Sequence, residues 1–245
     1  MDFDTGRQPE GSQRPPSGSG TGSGGGYGGG SSGPPPRVTA SASGGDFDYR
    51  NLGPSLVATA REIVLNPVGF FRGIRKQGDF LNPLVFAVVC ALISGILSGI
   101  LGFLINLITG NGVGSAFGGL FRAIIGIPIL TAIGLFIWAA IYYLLVLLLV
   151  RPNSGYEATF RVVAYASVVQ LVSWLSAIPI LGILVSIVIG IYGVVLSVLG
   201  IREVHSTSTG RAAAVVLIPV VVIGAIVALV GIALIAILAA AFSQQ

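Results

Sequence analysis

From residue 84 onward the chain alternates long apolar runs with short polar ones. An α-helix rises 1.5 Å per residue, so about 20 residues cross the ~30 Å hydrocarbon core of a bilayer. The runs at 84–108, 124–150, 162–178, 183–201 and 214–241 approach or exceed that length. NGVGSAFGG at 111–119 reads as a turn-rich loop, with RPNSGYEATFR at 151–161 and REVHSTSTGR at 202–211 as polar loops. The apolar stretch 162–201 is too long for one helix and too short for three, and Pro179 and Gly182 divide it. The pattern predicts an all-α fold: a polytopic transmembrane bundle of five spans within residues 81–245.

The region before the spans follows a different rule. Leu56, Ala60, Ile63, Val64, Pro67, Phe70, Phe71 and Ile74 recur at helical spacing. Asn66-Pro67 pairs a helix N-cap with a first-turn proline, so 54–80 reads as two short amphipathic helices. Arg61, Arg72, Arg75 and Lys76 give them a basic, membrane-surface face, so they are expected to lie in the headgroup plane or pack under the bundle. Residues 1–53 are dominated by Gly, Ser and Pro, as in GSGTGSGGGYGGGSSGPPP at 18–36. Such a segment buries too little apolar surface to offset chain entropy, and is expected to be a disordered cytosolic tail. A tether is the simpler role for it, and binding through the Gly-Tyr segment around Tyr27 the other.

Composition sharpens the membrane reading. Apolar residues make up 53% of the 245, charged residues only 9%. Mean hydropathy is +0.92. Soluble domains carry about 25% charged residues, so lipid serves as solvent for most of this chain. From Leu81 onward only Arg122, Arg151, Glu157, Arg161, Arg202, Glu203 and Arg211 are charged, all at the edges of apolar runs. The net charge of +4 is scattered, and no nucleic-acid partner is expected. An N-terminus inside the cell gives the inner face every basic residue from Arg61 onward except Arg122. The positive-inside rule therefore predicts a protein of the cytoplasmic membrane, N-terminus cytosolic and C-terminus outside. Arg far outnumbers Lys and Gly and Ala are abundant, a bias of GC-rich prokaryotic genomes.

Small residues mark where helices can approach. Ala91, Gly95 and Gly99 form one row on the first span, and Ser94, Ser98 and Gly102 a second on the adjacent face. Because lipid tails are as apolar as leucine, such strips, rather than hydrophobic burial, pair membrane helices. The strip is expected to seat another helix of the chain, a second copy, or another membrane protein.

Chemistry-bearing residues are sparse. No predicted span holds an ionisable group in its interior, which argues against a coupled transporter. The most central polar side chain is Gln170, with Ser167 and Ser173 on neighbouring turns. Trp138 stands too deep for the interfacial belt and is expected to pack inside the bundle. His205, the one histidine, lies in a polar loop and reads as a surface residue. With a single cysteine, Cys90, inside a span, neither an internal disulfide nor a two-cysteine metal site can form. GILSG at 95–99 has no histidine in any span to activate Ser98. No catalytic residue, metal site or cofactor is expected.

The arrangement resembles the Yip family, membrane proteins named for interaction with Ypt/Rab GTPases. The likeness is carried by NPVGFFRGIRKQGDFLNPLVFA at 66–87, GYEATFRVVAYAS at 155–167 and LGIREVHSTSTGRAAAVVLIPVVV at 199–222. Gly200, Ile201, Glu203, His205, Gly210 and Arg211 are similar to the string before the last span of prokaryotic members. The acidic tail motif of eukaryotic relatives is represented only by Leu52-Gly53-Pro54, with Asp48 out of place, so GTPase binding is not carried over. The resemblance implies five spans and no catalytic activity. The expected function is a membrane-organising or partner-binding scaffold. A channel for a small uncharged solute is the alternative, and a lipid enzyme using Glu157, Glu203 or His205 a distant third.

Overall fold

A computed structural model describes residues 46–110, 113–178 and 180–242. Every regular element among the described residues is helical. Two short helices, α1 (Leu52–Leu65) and α2 (Pro67–Gly73), precede the bundle. The Asn66 side chain caps α2 by accepting the Gly69 N–H at 3.1 Å. Then come α3 (Leu81–Ile108) and α4 (Val113–Phe121), which a π turn at Arg122–Gly126 joins to α5 (Ile127–Leu149). The chain continues with α6 (Tyr156–Ala166), a 3-10 stretch (Ser167–Ala177), α7 (Leu181–Val204) and α8 (Thr209–Phe242). Five of these helical runs are long and apolar enough to cross a membrane: Leu81–Ile108, Phe117–Leu149, Tyr156–Ala177, Leu181–Val204 and Thr209–Phe242.

The loop segments 150–155 and 205–208 and the short helices gather at one end, here termed basal. The buried core sits there. From Ala158 to Ala166 every residue of α6 is buried, among α3, α5 and α7. Tyr165 packs edge to face with Phe70 and tilted against Phe86, with ring centroids 5.1 and 5.3 Å away. Away from the basal end the helices turn long rows of Ile, Leu and Val outward, which suits lipid as solvent.

Four expectations meet a different geometry. Helix, not loop, begins at Val113 and runs through 113–119 into the second span. Its small, apolar residues satisfy their backbone groups internally, as a membrane demands. The third span begins at Tyr156, five residues after Arg151, rather than at 162, because Tyr156 and Phe160 pack their rings against Phe80 and Phe136. Of the tail expected over 1–53, residues 1–45, Tyr27 among them, lie outside the described residues. Residues 46–53 are in place: Phe47 is fully buried, a turn spans Tyr49–Asn51, and α1 begins at Leu52.

The fourth concerns the middle of the third span. Ser167, Gln170, Ser173 and Ser176 recur every third residue. A 3-10 helix has three residues per turn, so this spacing makes one straight polar stripe. Two hydrogen bonds lock it: Ser167 Oγ donates to the Ala164 carbonyl, and Ser173 Oγ to the Gln170 carbonyl at 2.9 Å. With that proton committed, Ser94 of α3 donates to Ser173 across 2.7 Å.

Candidate functional site

The basal end holds a polar hub centred on Arg161, one turn into α6 and 1% exposed. Its Nη1 donates to Asp46 Oδ2 at 2.8 Å. Nη2 donates to the Asp79 carbonyl at 2.7 Å and to Glu157 Oε1, one turn back, at 3.4 Å. The guanidinium thus joins the segment before α1, the loop before α3, and its own helix. Gly78 adopts φ +146°, where a side chain would be strained, and a Cβ there would crowd Arg161 Nη2 at 2.8 Å. Tyr165 completes the hub: its hydroxyl accepts the Phe47 N–H at 3.2 Å and donates to Asp46 Oδ1 at 3.3 Å. Burial holds the Asp46 carboxyl above its usual range, with Arg161 and Tyr165 opposing the shift. Phe47 then buries its ring against the edge of Phe86, centroids 5.5 Å apart.

His205 is a second basal joint, and it corrects the reading of a surface residue: it is 3% exposed. Its Nδ1 accepts the Ser154 N–H at 3.0 Å, so that nitrogen carries no proton. Nε2–H therefore donates to Thr159 Oγ1 at 3.0 Å, and that hydroxyl donates onward to the Gly155 carbonyl at 3.3 Å. Burial, with Lys76 as a lesser cause, lowers the imidazole to about 4. A histidine held neutral with both nitrogens engaged is a strut between the 150–155 loop and the end of α7. The loop composition that suggested exposure hid this, because the contacts come from residues about fifty positions upstream.

Glu203 makes the third joint. It receives Arg72 Nε from α2 at 3.0 Å and Arg202 Nη2 at 2.6 Å. Of the four surface basic residues, Arg61, Arg72, Arg75 and Lys76, all are exposed, and Arg72 makes this clasp. Arg161, expected among the loop charges, was the hub the sequence reading missed. Its i, i+4 spacing from Glu157 within an otherwise apolar helix start was the available signal.

The small-residue strip of α3 divides. A Cβ at Gly95 would collide with the Ala123 carbonyl in the π turn, and one at Gly99 would press on Ala123 and Leu120 at 3.0 Å. Ala91 and Ser94 are buried beside them. Ser98 donates to the Gly95 carbonyl at 3.2 Å and is half-buried, while Gly102 has open space where a Cβ would stand. The inner row therefore faces the second span of the same chain.

Five long apolar helices rooted in a hydrogen-bonded basal core define a multi-pass membrane protein of the helical class. The chain matches the Yip1 domain family over residues 61–242, well over half its length, and belongs to that family. Comparisons with curated proteins and with solved structures returned no match.

Proposed function

We propose that this Yip1-domain protein is a non-enzymatic membrane scaffold that organises partners at its basal face. The observation that carries the reading is the use made of its few polar side chains. Arg161, Tyr165, Glu203 and His205 are each occupied in joining one backbone segment to another. Catalytic groups need a free face toward substrate; these have been given to architecture. The hub fixes Asp46 and Phe47 on the basal face, and on this reading the Gly/Ser/Pro-rich sequence of 1–45 that precedes them is the partner-binding segment. Arg61, Arg75 and Lys76 remain outward, suited to anionic headgroups. On this reading the basal face is cytosolic, the membrane is the cytoplasmic one, and the C-terminus lies outside.

Crosslinking in native membranes followed by purification and mass spectrometry tests the scaffold. The expected result is a reproducible set of membrane proteins, or copies of the chain, crosslinked near residues 1–80 and lost from Arg161→Met. Selective solute flux by the purified protein in liposomes would overturn it in favour of a channel. A reporter that is active only in the cytosol tests the orientation; activity when fused after Gln245 would reverse it.

A further inference from the structure

The structure carries a second feature, away from the basal hub. Between α5, the 3-10 stretch, α7 and α8 lies a cavity of about 570 Å³. Trp138 and Gly193, at the midpoints of α5 and α7, both line it, so it sits near the middle of the membrane-spanning lengths. That volume is typical of small-molecule sites. Its rim includes the exposed residues Ile137 and Gly190, so it opens on the flank of the bundle, toward lipid.

The lining is mostly apolar, with a few polar side chains, Thr131, Tyr142, Ser167, Gln170 and Ser197, set into it. Tyr142 and Trp138, with ring centroids 5.6 Å apart, line the cavity together with Ser197. Gln170, on the polar stripe of the 3-10 stretch, lines it as well. Among the described residues its side-chain amide has no hydrogen-bond partner, although the neighbouring Ser167 and Ser173 are both engaged. An amide left unpaired in hydrocarbon carries a penalty of several kcal/mol. A carboxamide presents a donor and an acceptor together, so its complement is a group with both a hydroxyl and a carbonyl oxygen. Among the described residues no charged side chain lines the cavity, so an ionised head would lose its hydration with no counter-charge from them. Gly190 has open space where a Cβ would stand, which leaves room on the α7 wall.

We propose that this cavity binds the uncharged head of a glycerolipid, its hydroxyl and ester groups on Gln170 and its acyl chains running out through the flank into the bilayer. The full chain in phosphatidylcholine nanodiscs, offered a diacylglycerol bearing a photoactivatable diazirine, tests the site. The expected crosslinks map to the α5, 3-10 and α7 walls. Gln170→Leu removes the hydrogen bonds and is expected to lower that labelling about tenfold. Gly190→Phe fills the space and should lower it similarly; it keeps the test alive if Gln170→Leu does not fold. A diazirine phosphatidylcholine at the same concentration should label these walls far less. Equal labelling by the two lipids would make the cavity ordinary lipid-facing surface and overturn the proposal. So would diacylglycerol labelling unaffected by a folded variant, or absent from the cavity walls.

Discussion

The basal layer and the far lengths of the helices are built by opposite rules. Around α6 the protein packs against itself, with aromatic edges, ion pairs and hardly an exposed atom. Along the outer reaches of α7 and α8, Ile183, Leu184, Ile226, Leu229 and Ile235 all face outward. Water drives apolar groups together, and lipid does not. A region that relies on large side chains for cohesion is therefore one where hydrophobic burial still operates, or where polar groups supply directional bonds. The far lengths instead cohere where small residues admit a neighbour, as Gly95 admits the Ala123 carbonyl. The basal layer acts as the anchor, and the spans hang from it.

Breaking the layer should therefore matter most. Arg161→Met leaves Asp46 buried without its cation, and is expected to cost about 3–5 kcal/mol. Thermal unfolding in detergent reads the loss, and proteolysis near residue 46 should accelerate. Arg161→Met with Asp46→Asn should recover part of it; no recovery would show that the pair does not hold the segment. Phe47→Ala removes a fully buried ring from the same junction, at about 3 kcal/mol, with the spans still folded. The same proteolysis assay checks it, and unchanged cleavage would deny that Phe47 anchors the segment before α1.

Acid separates the two regions without mutation. In the folded chain His205 sits at about 4, against an ordinary 6.5. The unfolded chain thus binds the proton first, so this contribution is complete above pH 6.5 and is lost as pH falls toward 4. A decline on the order of 2 kcal/mol across that window is expected. Asp46, raised in the fold, runs the other way and favours the folded state as it takes up its proton. His205→Asn should flatten the decline between pH 6.5 and 4, measured by melting across pH; an unchanged slope would assign it elsewhere. The smallest effect belongs to the spans. Ser94→Ala breaks one interhelical hydrogen bond, worth about 0.6 kcal/mol. A loss as large as that of Arg161→Met would erase the contrast between the two regions.

What the sequence disclosed follows the same division. The spans were legible because lipid imposes length and apolarity on every residue of a crossing helix, whatever its neighbours. The family likeness at 66–87, 155–167 and 199–222 lies on the segments that build the basal layer, and the match over 61–242 encloses all three. Basal detail was not legible, because it consists of long-range meetings. Phe47 looks like part of a polar tail until Phe86 and Tyr165 surround it. His205 looks like loop until Ser154 and Thr159 arrive. Arg161 looks like an inner-face charge until Asp46 returns to it across 115 positions. The third-residue spacing of Ser167, Gln170, Ser173 and Ser176 was present in the sequence, but it registers only when a period of 3.0 is weighed beside 3.6.

The last helix has a mechanical consequence. In α8, Ala212, Val215 and Val216 are fully buried in the basal layer, whereas Val221, Val222 and most residues beyond are exposed. From Leu217 to Phe242 the shaft measures roughly 39 Å, longer than a hydrocarbon layer of about 30 Å. A rod clamped at its root and longer than the slab around it must lean or deform that slab, and the slab's thickness sets how far. Thinner bilayers should lean α8 further and thicker ones draw it upright, so its angle becomes a gauge of the membrane around it.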